Sequence, residues 1–172
     1  MTKRERIARQ AASDMAKIRA ILRHIKAVHE NCLLLGERLI EQGQFSFGRQ
    51  LIALSFKHDL SKFEGIEWDE MAPGTPTESE QSKFKLKLAV SQHNRTNPHH
   101  PEHWNSIHDM PDLYLAELAC DWKARSDAFS KTVLDYLNGA AQTRYKFMEK
   151  DPVYTKILNY LNLLSEHAFT KI

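Results

Sequence analysis

The sequence predicts an all-α protein built as a single-domain helical bundle, and three patterns lead to this fold class. Apolar residues recur at three- and four-residue steps along much of the chain, which is the spacing of one buried helix face. Proline and glycine residues separate these periodic segments, where they end or begin helices. No stretch of useful length alternates between apolar and polar residues as a half-buried strand does.

The periodic segments predict the helices in chain order. The first carries seven apolar residues in helical register: Ile18, Ile21, Ile25, Val28, Cys32, Leu35 and Leu39. Gly43 follows as a natural C-terminal stop. The expected helical segments are 11–42, 51–56, 79–94, Pro111 to about 126–130, from there to Leu137, and 153–168. One domain is expected over 1–172, with a metal-site core at about 21–125 and C-terminal helices at about 130–170 packing on it.

Local signals fill in the connections between these helices. Ser61 and Glu64 have the spacing of a capping box, which predicts the start of a helix after His58-Asp59. The proline- and glycine-containing stretch 71–80 is expected to be a loop. Pro98 and Pro101 exclude a long regular helix across their stretch.

Two later helices receive residue assignments as well. In the 79–94 helix, Phe84 and Leu88 are expected to face inward, and Leu86 is a further candidate for that face. Pro111 suits the first position of the following helix, because a proline lacks the N–H that this position leaves unpaired, and Asp109 is its expected cap.

Composition limits the classes of function. A net charge of +2 gives no electrostatic reason to expect a nucleic-acid partner, and the basic run near the N-terminus is interpreted as a solvated helix start. No apolar run reaches the roughly 18 residues that a membrane span needs, and no signal-peptide pattern is present, so a cytoplasmic protein is expected. Cys32 and Cys120 lie in apolar helical contexts, which indicates buried reduced thiols.

Histidine is the residue type that points to function. Five of the nine histidines fall between His93 and His108, and two prolines stiffen that stretch. Neutral imidazole is the commonest metal ligand in proteins, so this enrichment favours a metal site. On the first helix, His24 lies in line with the apolar stripe, whereas His29 lies nearer its polar edge.

Carboxylates accompany the histidines at two places. Asp59 follows His58 directly, next to an expected helix boundary where adjacent side chains can converge. Glu117 and Asp121 are four residues apart and therefore share one face of their helix. These residues are the carboxylate candidates for the same chemistry.

Four segments carry a resemblance to a known family. The order His24, His58-Asp59 and Asp121 resembles the H…HD…D signature of the HD-domain superfamily. The segments HIKAVHENCLLL, HDLSKFE, QHNRTNPHHPEHW and ELACDW look like an HD-related family of bacteria and phages with HDxSK and NPHHPEHW-like motifs. The resemblance covers roughly residues 21–122.

The resemblance implies a metal centre with one or two divalent transition ions, Mn, Fe, Co or Zn. Its first ligand set would be His24, His58, Asp59 and Asp121. A second ion would take His93 and one of three histidines, with His99 favoured over His100 and His103.

The activity implied is hydrolysis of a phosphate ester, in a nucleotide or a related small molecule, by metal-activated water. Asp59, Lys62, Glu64 and Glu117 are the expected catalytic residues. Lys62 would contact phosphate, as would Arg95 or Lys123, and either glutamate would take the proton from water. The alternatives are a di-iron oxygenase and a non-catalytic, metal-stabilised binding or inhibitory module of phage origin. Proteins of the superfamily often form homodimers, and nothing in the sequence fixes an interface.

The ligand assignment makes a prediction about two histidines. Replacing His58 should abolish metal binding more completely than replacing His108, because only His58 is assigned to the metal. Metal content after purification, measured by plasma mass spectrometry, checks this. Equal retention of metal in both variants would contradict the assignment.

Overall fold

Helices dominate the computed structural model, which describes residues 1–71 and 79–165. Within these two ranges the chain forms no strand, so the predicted all-α class is confirmed. Most of the predicted loop at 71–80, the last part of the 153–168 helix and His167, which was expected to be structural or solvated, lie outside the described residues.

Eight α-helices follow one another along the described chain. They are α1 (Lys3–Glu41), α2 (Phe45–Ser55), α3 (Gly65–Glu70), α4 (Glu80–Thr96), α5 (Asp112–Ala128), α6 (Val133–Tyr136), α7 (Gln142–Tyr145) and α8 (Pro152–Leu164). Short 3₁₀ turns lie at Leu60–Phe63, Pro101–His103 and Ile107–Asp109, and a π-helical turn at Leu137–Ala141 joins α6 to α7.

The first helix begins eight residues earlier than its apolar pattern predicts. Thr2 and Glu5 form a reciprocal capping box: the Thr2 amide donates to Glu5 Oε2 at 2.7 Å and the Glu5 amide donates to Thr2 Oγ1 at 3.2 Å. This cap satisfies orphan amides of an exposed, charged first turn, so the helix starts without an apolar face. The predicted stop is confirmed, because Gly43 adopts a left-handed backbone with φ of 83°.

Several local predictions need correction. Ser61 does not cap α3: it lies inside a 3₁₀ turn, and its hydroxyl donates to Glu67 instead of forming a box with Glu64. On α5, Pro111 is the N-cap residue and Asp109 belongs to the preceding 3₁₀ turn.

The inward face of α4 also differs from the prediction. Phe84 and Leu88 are 61% and 45% exposed, so their assignment to the buried face was wrong. The buried face instead carries Leu86, Ala89 and His93, at steps of three and four residues. Leu86, the further candidate, does lie on this face and is half-buried. Ala89 and His93 are small or polar, so hydrophobicity gave no signal for them and placed Phe84 and Leu88 on the wrong side.

Close packing divides the chain into two units. The first unit comprises Met1–Ile25 and Asp59–His93, and the second comprises Lys26–His58 and Asn94–Ile172. The expectation of one domain over 1–172 stays a prediction.

The first unit is held by contacts between α1 and α3. The Lys17 ammonium donates to the Trp68 carbonyl at 3.3 Å and lies 5.2 Å from the centre of the Trp68 ring. The ring of Trp68 stacks on Phe63 at 6.4 Å. These contacts fix α3 and the preceding 3₁₀ turn beside the N-terminal part of α1.

The second unit contains the main hydrophobic core. Helix α5 is its centre, because every residue from Leu115 to Trp122 is buried. It packs against α2, α6 and α8. Cys32 and Cys120 are both fully buried and free of disulfide, as predicted. Among the described residues, no helix has the length and apolar character that crossing a bilayer requires.

Two glycines set the approach of α2 to α1 in this unit. A Cβ added at Gly48 would collide with the carbonyl oxygen of Gly36, and one added at Gly36 would lie 2.9 Å from the carbonyl oxygen of Gly48. Backbone atoms cannot move aside as a flexible side chain can.

We therefore expect Gly48→Ala to destabilise the protein by about 1–3 kcal/mol, the usual cost of overpacking. Thermal and urea unfolding in the presence of a chelator measure this. Gly139→Ala is the matched control, because in the described part of the chain no atom beyond its own helix backbone and chain neighbours lies within 4 Å of the added Cβ. Equal melting temperatures for the Gly48 and Gly139 variants would contradict the close approach.

Candidate metal centre

Asp59 is the centre of the polar cluster in the first unit. It follows α2 and adopts a left-handed backbone with φ of 57°, a conformation that aspartate tolerates better than most residues. Its carbonyl accepts the amide of Lys62 at 3.1 Å, which closes the 3₁₀ turn. The side chain is 1% exposed. Such backbone conformations persist where surrounding contacts fix them, often at functional sites.

Two imidazoles flank the Asp59 carboxylate. His24 Nε2 lies 3.3 Å from Oδ2, and His93 Nε2 lies 3.2 Å from Oδ1. Helix α1 supplies His24 from its apolar stripe, and α4 supplies His93 from the face that it shares with Ala89. The structure thus brings together three of the six predicted ligands within the first unit.

These distances fit a metal site. Nitrogen and oxygen ligands lie about 2.0–2.2 Å from a transition ion, so two neighbouring ligands of one ion are about 2.8–3.6 Å apart, from octahedral to tetrahedral angles. Both separations at Asp59 fall in this range. Two imidazoles and a carboxylate suit Mn, Fe, Co and Zn. Because each oxygen of Asp59 faces a different ring, the carboxylate is also suited to bridge two ions.

Lys62 is the cation of this cluster. Its ammonium contacts Asp59 Oδ2, and its side chain is only 11% exposed. A buried carboxylate is costly unless it is paired and hydrogen-bonded, so this contact offsets part of the cost of burying the Asp59 side chain. The same ammonium is a point charge of the kind that binds phosphate oxygens.

Glu67 is a member of the cluster that the sequence did not reveal. It lies in the first turn of α3 and is 2% exposed. Its Oε2 accepts a hydrogen bond from the Ser61 hydroxyl at 2.8 Å and lies 2.7 Å from His93 Nδ1. The predicted acid in this segment, Glu64, is exposed. Glu67 follows Asp59 by eight residues, and this spacing does not indicate any particular structure or function.

The second unit has a cluster of its own. His58, His99 and Glu117 are buried and offer ligand atoms that all lie within 4.8 Å of one another, a group able to hold a metal ion. Glu117 Oε1 is 3.0 Å from His58 Nδ1 and 3.9 Å from His99 Nδ1. Glu117 was predicted to take a proton from water. In the structure its carboxylate lies beside the imidazoles of His58 and His99.

The structure separates the histidines that the sequence left as alternatives. His99 lies beside His58, with ring centres 4.2 Å apart. His100 is buried against His99, whereas His103 is exposed and its Nδ1 donates to the Arg95 carbonyl at 2.7 Å. His103 therefore stabilises the connection between α4 and α5 through this backbone contact.

His29, the alternative to His24, has a structural contact. Its Nδ1 lies 2.7 Å from the Ser55 hydroxyl, and its ring packs on Phe56. His108 is exposed, as expected for a residue outside the metal site.

Asp121 lies one turn after Glu117 on α5 and is 2% exposed. Its Oδ1 contacts Arg125 Nε at 3.2 Å. Of the other predicted phosphate contacts, Lys123 pairs with Asp127 at 2.5 Å and Arg95 is exposed.

Thiols are poor ligands in this part of the second unit. Burial raises the pKa of Cys120, and the neighbouring Cys32 and the carboxylates of Glu117 and Asp121 raise it further. Because the thiolate is the form that binds metals, the protonated thiol leaves nitrogen and oxygen as the available donors.

The comparisons with known proteins identify the family. Residues 13–162 match the sequence model of a protein family that is described as "Family of unknown function (DUF5662)". The chain belongs to this family. No curated protein and no solved structure matches the chain. The side chains of the two clusters are therefore the basis on which a function can be proposed.

The His58–Glu117 contact makes a prediction about stability. Glu117→Ala removes the carboxylate that His58 Nδ1 faces in a buried site, and an orphaned buried polar group costs about 1–3 kcal/mol. Urea unfolding of the metal-free protein at neutral pH measures the loss.

Asp127→Ala is the control from the same helix, because it removes a solvent-exposed pair worth less than about 1 kcal/mol. A smaller loss for Glu117→Ala than for Asp127→Ala would show that the buried contact does not stabilise the second unit.

Proposed function

We propose that this protein is a metal-dependent phosphohydrolase with a centre of the HD type, acting on a nucleotide or a related small phosphate ester. The observation that carries the proposal is the environment of Asp59. A buried carboxylate contacts two imidazole nitrogens at ligand distances and an ammonium group. This combination provides both metal ligands and a cation for a phosphoryl oxygen.

Each residue of the first-unit cluster has a role in the proposed reaction. His24, Asp59 and His93 hold the metal, which supplies an activated water and polarises the phosphoryl group when bound. Lys62 offers its ammonium to a phosphate oxygen, since its flexible stem lets it turn from Asp59 towards substrate. Its burial keeps water away and strengthens this attraction.

The remaining ligand and catalytic assignments stay predictions. The resemblance assigns His58, His99 and Asp121 to the metal as well, and their burial and donor atoms support such a role. Glu117 is the better supported of the two proposed proton acceptors, because it is buried beside two imidazoles whereas Glu64 is exposed.

A di-iron oxygenase is the second candidate. It would use the same carboxylate: the two oxygens of Asp59 each face a different imidazole, so the residue could contact two ions. Phosphohydrolases with two ions share this feature. Iron content and oxygen consumption therefore separate the two activities.

The proposal predicts a metal-dependent activity that Asp59 controls. The purified protein, loaded in turn with Mn, Fe, Co and Zn, should release phosphate from some members of a nucleotide panel. Asp59→Asn should lower both metal affinity and phosphate release by at least about 100-fold, because it removes the charge that two imidazoles and one ammonium face.

Asp69→Asn is the matched control, since Asp69 is an acid in α3 of the same unit that lies outside the buried cluster. Firmly bound metal with no phosphate release from any substrate would contradict the hydrolase. Oxygen uptake by the iron form would then support the oxygenase, and its absence would leave a metal-stabilised binding module.

A further inference from the structure

We infer that Glu67 is a positioning residue that orients His93 towards the metal, with Ser61 holding Glu67 in place. The inference rests on the proposed function, because it concerns the ligand set that the hydrolase would use. Neither the sequence patterns nor the family resemblance gives Glu67 a role.

The contacts form a continuous chain inside the first unit. The Ser61 hydroxyl donates to Glu67 Oε2 at 2.8 Å, and His93 Nδ1 lies 2.7 Å from the same oxygen. The opposite ring nitrogen, His93 Nε2, lies 3.2 Å from Asp59 Oδ1. The Glu67 and Asp59 side chains are each 1% exposed and His93 is 2% exposed, so water competes little for these bonds.

The chemistry of these atoms fixes the tautomer of His93. An ionised carboxylate accepts hydrogen bonds and donates none, so Nδ1 carries the hydrogen in the short contact with Glu67. Nε2 is then the ring nitrogen whose lone pair is available to a metal, and it faces Asp59 Oδ1. The lone pairs of His93 Nε2 and Asp59 Oδ1 are then directed at the same region, as those of two ligands of one cation are. A carboxylate behind a histidine ligand is known to fix ring orientation and to raise ligand basicity.

The same chain gives a physical reason for the HDLSK segment. Three of its residues serve one cluster: Asp59 faces the imidazoles, Ser61 binds Glu67, and Lys62 contacts Asp59. The 3₁₀ turn over Leu60–Phe63 is what brings Ser61 back to α3. Serine is therefore used here as a side-chain donor and not as a helix cap.

The test compares metal affinity in four proteins: wild type, Glu67→Ala, Glu67→Gln and Asp69→Ala. Calorimetric titration with Mn or Zn should give a 10- to 100-fold loss for Glu67→Ala, the usual effect of removing such a partner. Glu67→Gln should lose less, because its amide oxygen still accepts from Nδ1. Asp69→Ala, which changes an acid of the same helix outside the buried cluster, should bind as the wild type does.

A double variant separates positioning from a general effect on folding. If Glu67 acts through His93, then Glu67→Ala should cause no further loss of affinity in a His93→Ala background. An equal loss in both backgrounds would overturn the inference. Glu67→Gln keeps the test open should Glu67→Ala fail to fold.

A second readout does not need the metal. Nitrogen-15 spectra of the metal-free protein should show a hydrogen on His93 Nδ1 with the chemical shift of a hydrogen-bonded donor, and Glu67→Ala should lose this hydrogen-bond signal. Should the wild type bind none of the ions, the proposed function fails, and this spectrum alone decides the role of Glu67. An unchanged Nδ1 signal together with unchanged affinity would overturn it.

Discussion

The buried charge of Asp59 is the constraint on which the first unit depends. A carboxylate removed from water destabilises a protein unless cations and hydrogen-bond donors surround it. Here an ammonium and two imidazole nitrogens contact it. The left-handed backbone at Asp59 is tolerated because these contacts, and the 3₁₀ turn after it, fix the residue in place. The contacts that stabilise the buried Asp59 carboxylate are therefore the same contacts that the proposed metal chemistry would use.

Helix periodicity explains how distant residues reach this point. Along α1, His24 continues the apolar stripe, and along α4, His93 continues the face of Leu86 and Ala89. Each imidazole is thus buried by the same spacing that buries its apolar neighbours. In the second unit, α5 is buried on all sides from Leu115 to Trp122, so Glu117 is buried with it and contacts His58.

Periodicity and residue chemistry set the features that the sequence could predict. The helical class and the stop at Gly43 belong to this group. The sequence also placed His24 on the apolar stripe of its helix, whereas its grouping with Asp59 and His93 was implied only by the family resemblance. Tertiary contacts decided the rest. Phe84 and Leu88 resemble core residues, yet α4 turns its small and polar face inward. Ser61 has the spacing of a cap, but a buried acceptor, Glu67, takes its hydroxyl.

X-ray absorption at the edge of the bound metal tests the central claim most directly, because it reports the ligand atoms themselves. Protein loaded with Mn or Zn should show only nitrogen and oxygen ligands at about 2.0–2.2 Å, with the outer-shell scattering of at least two imidazole rings. A first shell containing sulfur, or one without imidazole scattering, would contradict a centre built on His24, Asp59 and His93.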